Sequence, residues 1–159
     1  MKIDRYHLNL AGEYRVCAEL LKRGIFATVT FGNMKSTDVI AVGRNRRAAV
    51  VEVKASNSSR FVTGFYQKYT TLDCEHPTFW VLYSVRPNGE GFAERFFVLS
   101  HDELAMKQAR RNNHDENLSY VECAERASSG VDNVLVEHVE DSEDQWHKIV
   151  KWCSEEAEK

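Results

Sequence analysis

The sequence predicts a single α/β domain, residues 1–159, whose mixed β-sheet is flanked by helices on both faces as an α/β/α sandwich. One helix-like stretch precedes three β-rich runs, and helical and strand-like segments then alternate along the chain. Strands clustered after one helix and covered by others are typical of a layered mixed sheet. The 159 residues, 43% of them hydrophobic, can form a hydrophobic core without disulfide bonds.

The first predicted element is a helix over residues 10–23. Its apolar positions recur at helical spacing, with Asn9 as a candidate N-cap and Gly24 as the residue that stops it. Three strand-like runs follow at residues 25–31, 37–43 and 47–55. The apolar positions of the helix are Leu10, Tyr14, Cys17 and Leu21.

A second helix is predicted over residues 60–72, because its large apolar side chains share one helical face. Strands are predicted at residues 78–86 and 94–100, separated by a turn rich in Pro and Gly. Ser100 and Glu103 form a capping box for a third helix that ends near Asn112. The remaining predictions are a loop over residues 113–130, a short strand within 131–139, and an acidic closing helix at about 141–157.

The cysteines and the hydropathy pattern indicate a cytoplasmic protein that does not enter membranes. The four cysteines are scattered without a CxxC pair, which favours reduced thiols over a disulfide framework. No apolar run is long enough to span a bilayer. The histidines show no HExxH spacing, so a zinc site is not expected.

Charge is distributed unevenly along the chain. The net charge is −3, and residues 137–159 hold eight acidic against three basic side chains. Residues 35–68 hold seven basic side chains and only two acidic ones, Asp38 and Glu52. A basic middle segment is compatible with binding a polyanion at that surface.

Those two acids belong to a predicted β-hairpin with a turn at GRNRR, residues 43–47. If the hairpin is centred on Asn45, facing residues have numbers that add to 90, and Asp38 faces Glu52. Lys54 then projects from the same face as Glu52. Facing carboxylates repel, and a divalent cation between them would remove that repulsion. The alternative is a solvent-facing edge strand that carries all three charges without function, although the apolar residues around them favour central strands.

With Asp38, then Glu52-Val53-Lys54 after a short hairpin, and Glu13 on the preceding helix, the chain resembles the PD-(D/E)xK nuclease superfamily. The stretches GEYRVCAELLKRG, TDVIAV and AVVEVKAS resemble in particular its Holliday-junction-resolvase-like and restriction-endonuclease-like members, over roughly residues 8–85. Thr37 stands where the family pattern has proline, which leaves the neighbouring carboxylate intact.

The resemblance implies a restriction-endonuclease-like fold and a Mg²⁺ ion, replaceable by Mn²⁺, held by Asp38, Glu52 and the Val53 carbonyl. Lys54 would orient or activate the attacking water and stabilise charge that develops on the phosphate.

Glu13 and Gln67 would complete the catalytic set by the same resemblance. Each also has an ordinary interpretation, as a solvated helix residue and as a surface amide. Basic side chains would contact DNA phosphates, although those of the GRNRR turn lie about 20 Å from Asp38 at 3.3 Å per residue and could be plain turn residues. The predicted DNA-binding residues are Lys35, Arg44, Arg46, Arg47, Arg60 and Lys68.

The predicted function is a Mg²⁺-dependent endonuclease that hydrolyses DNA phosphodiester bonds. The lack of an added recognition module favours structure-selective or partner-directed cutting, and the resemblance is compatible with a homodimer. The alternative is a catalytically silent domain of the same fold that binds nucleic acid or a protein partner.

Overall fold

The computed structural model describes residues 4–30, 37–69, 74–112 and 131–155. Its strands are β1 (Phe26–Val29), β2 (Val39–Val42), β3 (Ala48–Ser56), β4 (Arg60–Val62), β5 (Phe79–Asn88), β6 (Gly91–Ser100) and β7 (Asn133–Leu135). Its helices are α1 (Arg5–Lys22), α2 (Phe65–Lys68), α3 (His101–Arg111), α4 (Val136–Val139) and α5 (His147–Ser154), with a 3₁₀ turn at Glu140–Ser142.

Five strands form one sheet in the order β1-β2-β3-β5-β6, and β4 and β7 form a separate antiparallel pair. Strand β3 pairs antiparallel with β2 and parallel with β5. The predicted α/β class with a mixed sheet is therefore confirmed, and β2 and β3 are internal strands rather than a wet edge.

Two clusters of buried residues pack against this sheet. Val81 and Tyr83 of β5 belong to the cluster that contains residues of α1 and α5. Trp80 and Leu82 belong to the cluster that contains residues of β4, α2, α3 and α4. Because successive strand residues point to opposite sides, the two clusters lie on opposite sides of the sheet.

Helix α1 begins five residues earlier than predicted. The carboxylate of Asp4, rather than Asn9, caps it by accepting the Tyr6 N–H at 2.9 Å. Leu8 is buried against the sheet, and this packing stabilises the first turn of α1. The prediction of a start at residue 10 did not include it. The predicted end is confirmed, since Gly24 follows with a φ of 76°.

The predicted hairpin register is confirmed. Val39 pairs with Val51 and Val42 pairs with Ala48, so facing numbers add to 90. The turn between the strands contains Arg46 in the left-handed region, with a φ of 67°, and its N–H donates to the Gly43 carbonyl at 2.9 Å.

The prediction of one helix over residues 60–72 is wrong. Arg60–Val62 is a strand that pairs with β7, and only Phe65–Lys68 is helical. Gly64, with a φ of 65°, separates the two elements. Residues 70–73 lie outside the described part of the chain.

Helix α3 and its capping box are confirmed, with Ser100 and Glu103 making both predicted hydrogen bonds. The closing helix is shorter than predicted at its start, because Asp144 has a φ of 53° and Glu143 bridges to Phe97 of β6. Within 131–139, three residues form β7 and the next four form α4. The predicted loop over 113–130 lies outside the described residues.

Candidate functional site

Asp38 lies at the point where β2 stops pairing with β3. The ladder ends at Val39 and Val51, and the Asp38 side chain then accepts the Val53 N–H at 2.7 Å through Oδ2. The Asp38 carboxylate thus takes the place of the backbone carbonyl that would accept this N–H if the β2–β3 pairing continued. The predicted facing pair of Asp38 and Glu52 does not form a ladder pair, but the Asp38 carboxylate lies beside the segment that carries Glu52 and Lys54.

Glu52 is almost fully buried, with 1% of its surface exposed. Its Oε1 contacts the ammonium nitrogens of Lys54 at 2.6 Å and Lys68 at 2.5 Å. Its Oε2 accepts the hydroxyl of Tyr69 at 3.1 Å. Besides Lys54 of the predicted hairpin, α2 thus supplies a second lysine, Lys68, beside the buried carboxylate.

The site raises the pKa of two carboxyl groups. Burial raises the pKa of Asp38, and the charge of Glu52 adds to this, although the Val53 N–H and Lys54 oppose it. Burial also raises the pKa of Glu13, and the nearby Asp38 carboxylate raises it further. Glu13 and Asp38 therefore share one electrostatic environment, although one is on α1 and the other directly precedes β2.

A cleft of about 1040 Å³ gathers most of the predicted catalytic residues. We call it the main cleft, and its walls come from α1, the end of β3 with the following turn, β4 and α2. Glu52 does not line it, because Lys54 and Lys68 cover the carboxylate. The predicted site residues that line the main cleft are Glu13, Asp38, Val53, Lys54, Arg60, Gln67 and Lys68.

The basic turn of the hairpin is remote from the main cleft. The Arg47 guanidinium stacks on the Trp152 ring, 3.7 Å from its centre, and contacts Glu155 at 3.1 Å. Arg47 thus joins the hairpin turn to α5, a structural role that the sequence did not indicate. Arg44 and Arg46 are exposed at the same turn, and Lys35 lies outside the described residues.

Trp80 is a site neighbour that the sequence did not indicate. It lies beside Glu52 in the parallel ladder of β3 and β5, and the Lys54 ammonium is 5.8 Å from its ring centre. Its indole N–H donates to Nδ1 of His101 at 3.1 Å. Burial, with a contribution from His76, lowers the pKa of His101 to about 3, so the imidazole is neutral and accepts this bond.

The donors at this end of β3 are of the type that Mg²⁺ prefers. Carboxylates of Asp38 and Glu52 and the carbonyl of Val53 are all oxygen ligands. The Val53 N–H points to Asp38, and a strand residue directs its carbonyl to the same side. A metal ion that binds Glu52 would have to displace a lysine ammonium from the carboxylate. Within the described ranges, no group of three or more His, Cys, Asp or Glu side chains is arranged as a metal site.

Comparisons of the chain with protein-family models, with curated proteins and with solved structures find no match. Among the described helices, none has the length and hydropathy needed to cross a membrane. The residues that bear on function are those of the main cleft and the buried Glu52 behind it.

Proposed function

We propose that this protein is a Mg²⁺-dependent endonuclease that hydrolyses DNA phosphodiester bonds in the main cleft. The observation that carries the proposal is the convergence of Asp38, Glu13 and Lys54 on this cleft, with Glu52 buried directly behind Lys54. Buried carboxylates are costly to keep in a fold, and titratable groups with perturbed pKa values in a cleft are typical of active sites.

The residues would have different roles in the reaction, set by their chemistry. Asp38, Glu52 and the Val53 carbonyl would hold the ion, which supplies positive charge to the phosphate oxygens and acidifies coordinated water. Lys54 has three donors and no lone pair, so it cannot be a ligand. It would orient the attacking water and stabilise negative charge on the phosphate. Glu13, whose pKa is raised, would accept a proton.

A second candidate is the catalytically silent binding domain, and one observation favours it. The Glu52 carboxylate already has two ammonium partners and a hydroxyl donor, so the fold needs no metal ion to compensate its charge. In this alternative the cleft binds nucleic acid or a protein partner, and Lys54 and Lys68 are structural.

The first test is cleavage of linear duplex, branched junction and single-stranded DNA, with Mg²⁺, with Mn²⁺ and with EDTA. Calorimetry should show Mg²⁺ binding that is lost in Asp38→Ala. Lys54→Ala should keep metal binding and lose about 10²–10³-fold in turnover, the scale of removing one electrostatic contact to the transition state. Lys107→Ala is a matched control, because Lys107 pairs with Asp141 and does not line the main cleft.

Two results would decide against the nuclease. One is the absence of cleavage by the wild type with any divalent ion, and the other is normal single-turnover cleavage by Lys54→Ala. The silent domain would then be the better account. Structure-selective or partner-directed cutting, a homodimer and a cytoplasmic location are further parts of this proposal, and the comparison of duplex with junction substrates addresses the first of them.

A further inference from the structure

We propose that two arginines on opposite walls of the main cleft, Arg5 and Arg60, bind the phosphates of one nucleic-acid strand on either side of the reacting phosphate. The inference rests on the proposed function of this cleft and adds the path of the substrate. Arg5 was not indicated by the sequence, and both residues line the cleft. Arg5 is on α1 and Arg60 begins β4, elements whose buried residues belong to different core clusters.

The charges of these two arginines are uncompensated, in contrast to those of the ion-paired arginines of the protein. Arg15, Arg23 and Arg95 each contact a carboxylate at 2.7 Å. Within the part of the chain that the structure describes, the guanidinium groups of Arg5 and Arg60 have no hydrogen-bond or ion-pair partner, and both residues are exposed. The other two cations of the cleft, Lys54 and Lys68, are held by Glu52.

The backbone around Arg60 is held in place by serine side chains. The Ser56 hydroxyl donates to the Arg60 carbonyl at 2.7 Å and accepts the Ser58 N–H at 3.1 Å. The Ser59 carbonyl accepts the Val136 N–H at 2.9 Å, which ties the turn to α4. Since this backbone is already ordered, Arg60 would bind a phosphate without the cost of ordering a loop.

Arg5 lies on the same helix as Glu13, eight residues before it. At 1.5 Å per residue, this separation is about 12 Å along the helix axis. A duplex strand carries one phosphate per 3.4 Å of its axis but also winds around that axis, so a straight separation of about 12 Å corresponds to about two to three nucleotides. Asp4 also lines the cleft, but its carboxylate is engaged by the Tyr6 N–H. A guanidinium can form two parallel hydrogen bonds to a phosphate, and this makes Arg5 suited to fix the strand at that position.

The test combines binding with single-site neutralisation of the substrate. Fluorescence anisotropy in EDTA would measure DNA binding by the wild type, Arg5→Ala, Arg60→Ala and Arg86→Ala across a salt series. Arg86 is a matched control, because it is exposed on β5 and does not line the main cleft. We expect about tenfold weaker binding and a salt slope reduced by about one for each cleft variant, with less than a twofold change for the control.

Duplexes that carry one methylphosphonate linkage at a time would locate the contact. In Mg²⁺ the wild type should cut more slowly when the neutral linkage lies about two to three nucleotides from the cut, on one side only. The cleavage rate of Arg5→Ala should not fall further when that linkage is neutral. The same duplex series in RNA would show whether the contact depends on the sugar.

The outcomes separate this inference from the proposed function. We call the proposed phosphate contacts of Arg5 and Arg60 the strand path. If the wild type cuts DNA, and if Arg5→Ala and Arg60→Ala bind and cut like Arg86→Ala, the strand path is wrong while the proposed nuclease activity is supported. If the wild type binds but never cuts, and both cleft variants bind about tenfold more weakly, the strand path is supported while the nuclease fails. If the wild type does not bind nucleic acid, the strand path is overturned.

Discussion

Replacing Glu52 by glutamine should strongly destabilise the metal-free protein, although the two side chains have nearly the same shape. The variant removes the negative charge that faces Lys54 and Lys68 and leaves two ammonium groups close together. Hydrogen bonds to charged groups contribute about 1.5 to 3 kcal/mol each. The lysine side chains keep 25% and 37% exposure, so water recovers part of this energy. We expect a net loss of about 2 to 4 kcal/mol.

Urea denaturation in EDTA would measure this loss. For a chain of this size the slope is about 2 kcal/mol per molar urea, so the midpoint should fall by about 1 to 2 M. Glu143→Gln is the matched control. Glu143 contacts Arg95 at 2.7 Å but is 34% exposed, and an exposed ion pair contributes at most about 1 kcal/mol. If Glu52→Gln unfolds within about 0.5 kcal/mol of the wild type, Glu52 is not the centre of a stabilising charge cluster.

Three further predictions concern the same scaffold. Asp38→Asn should melt no lower than the wild type at pH 7 in EDTA. Because the folded-state pKa of Asp38 is raised, its ionisation removes stability as the pH rises above the ordinary value of 3.8. Any gain in stability of the variant over the wild type should therefore vanish below that pH. A clearly lower melting temperature of the variant at pH 7 would contradict this. Gly43→Ala would place a Cβ 1.7 Å from the Cys153 carbonyl oxygen and should cost about 3 kcal/mol or more in urea denaturation, whereas Gly91→Ala meets nothing nearer than 3.9 Å and should change little. Ser100→Ala should lose about 1 kcal/mol through the cap of α3, and an unchanged midpoint would show that this cap is not needed.

The parts of the fold that depend on local chemistry could be predicted from the sequence. The GRNRR turn and the apolar runs beside it fix the register of β2 and β3, and Ser100 with Glu103 fixes the start of α3. The strand at Arg60–Val62 could not be predicted, because it pairs with Asn133–Leu135, far along the chain. Its alternating residues also fit a helical face when they are considered alone.

The candidate site could likewise be predicted only where it depends on local sequence. The nearness of Asp38 and Glu52 follows from the hairpin, which is local. The second ammonium partner of Glu52 is Lys68, and its position depends on how α2 packs against the sheet. The stacking of Arg47 on Trp152 likewise joins distant segments, so a residue that looks free in the sequence has a structural partner.

The bond between the Val53 N–H and the Asp38 carboxylate gives the protein a built-in spectroscopic probe. Most amides of β3 report on the sheet, since their acceptors are backbone carbonyls. The Val53 amide instead has a side-chain acceptor at 2.7 Å, and its chemical shift and its hydrogen-exchange rate depend on the charge state of that one carboxyl. A ¹⁵N spectrum would therefore follow ion binding or substrate binding at Asp38 through a single resonance, with the amides of β5 and β6 as internal references.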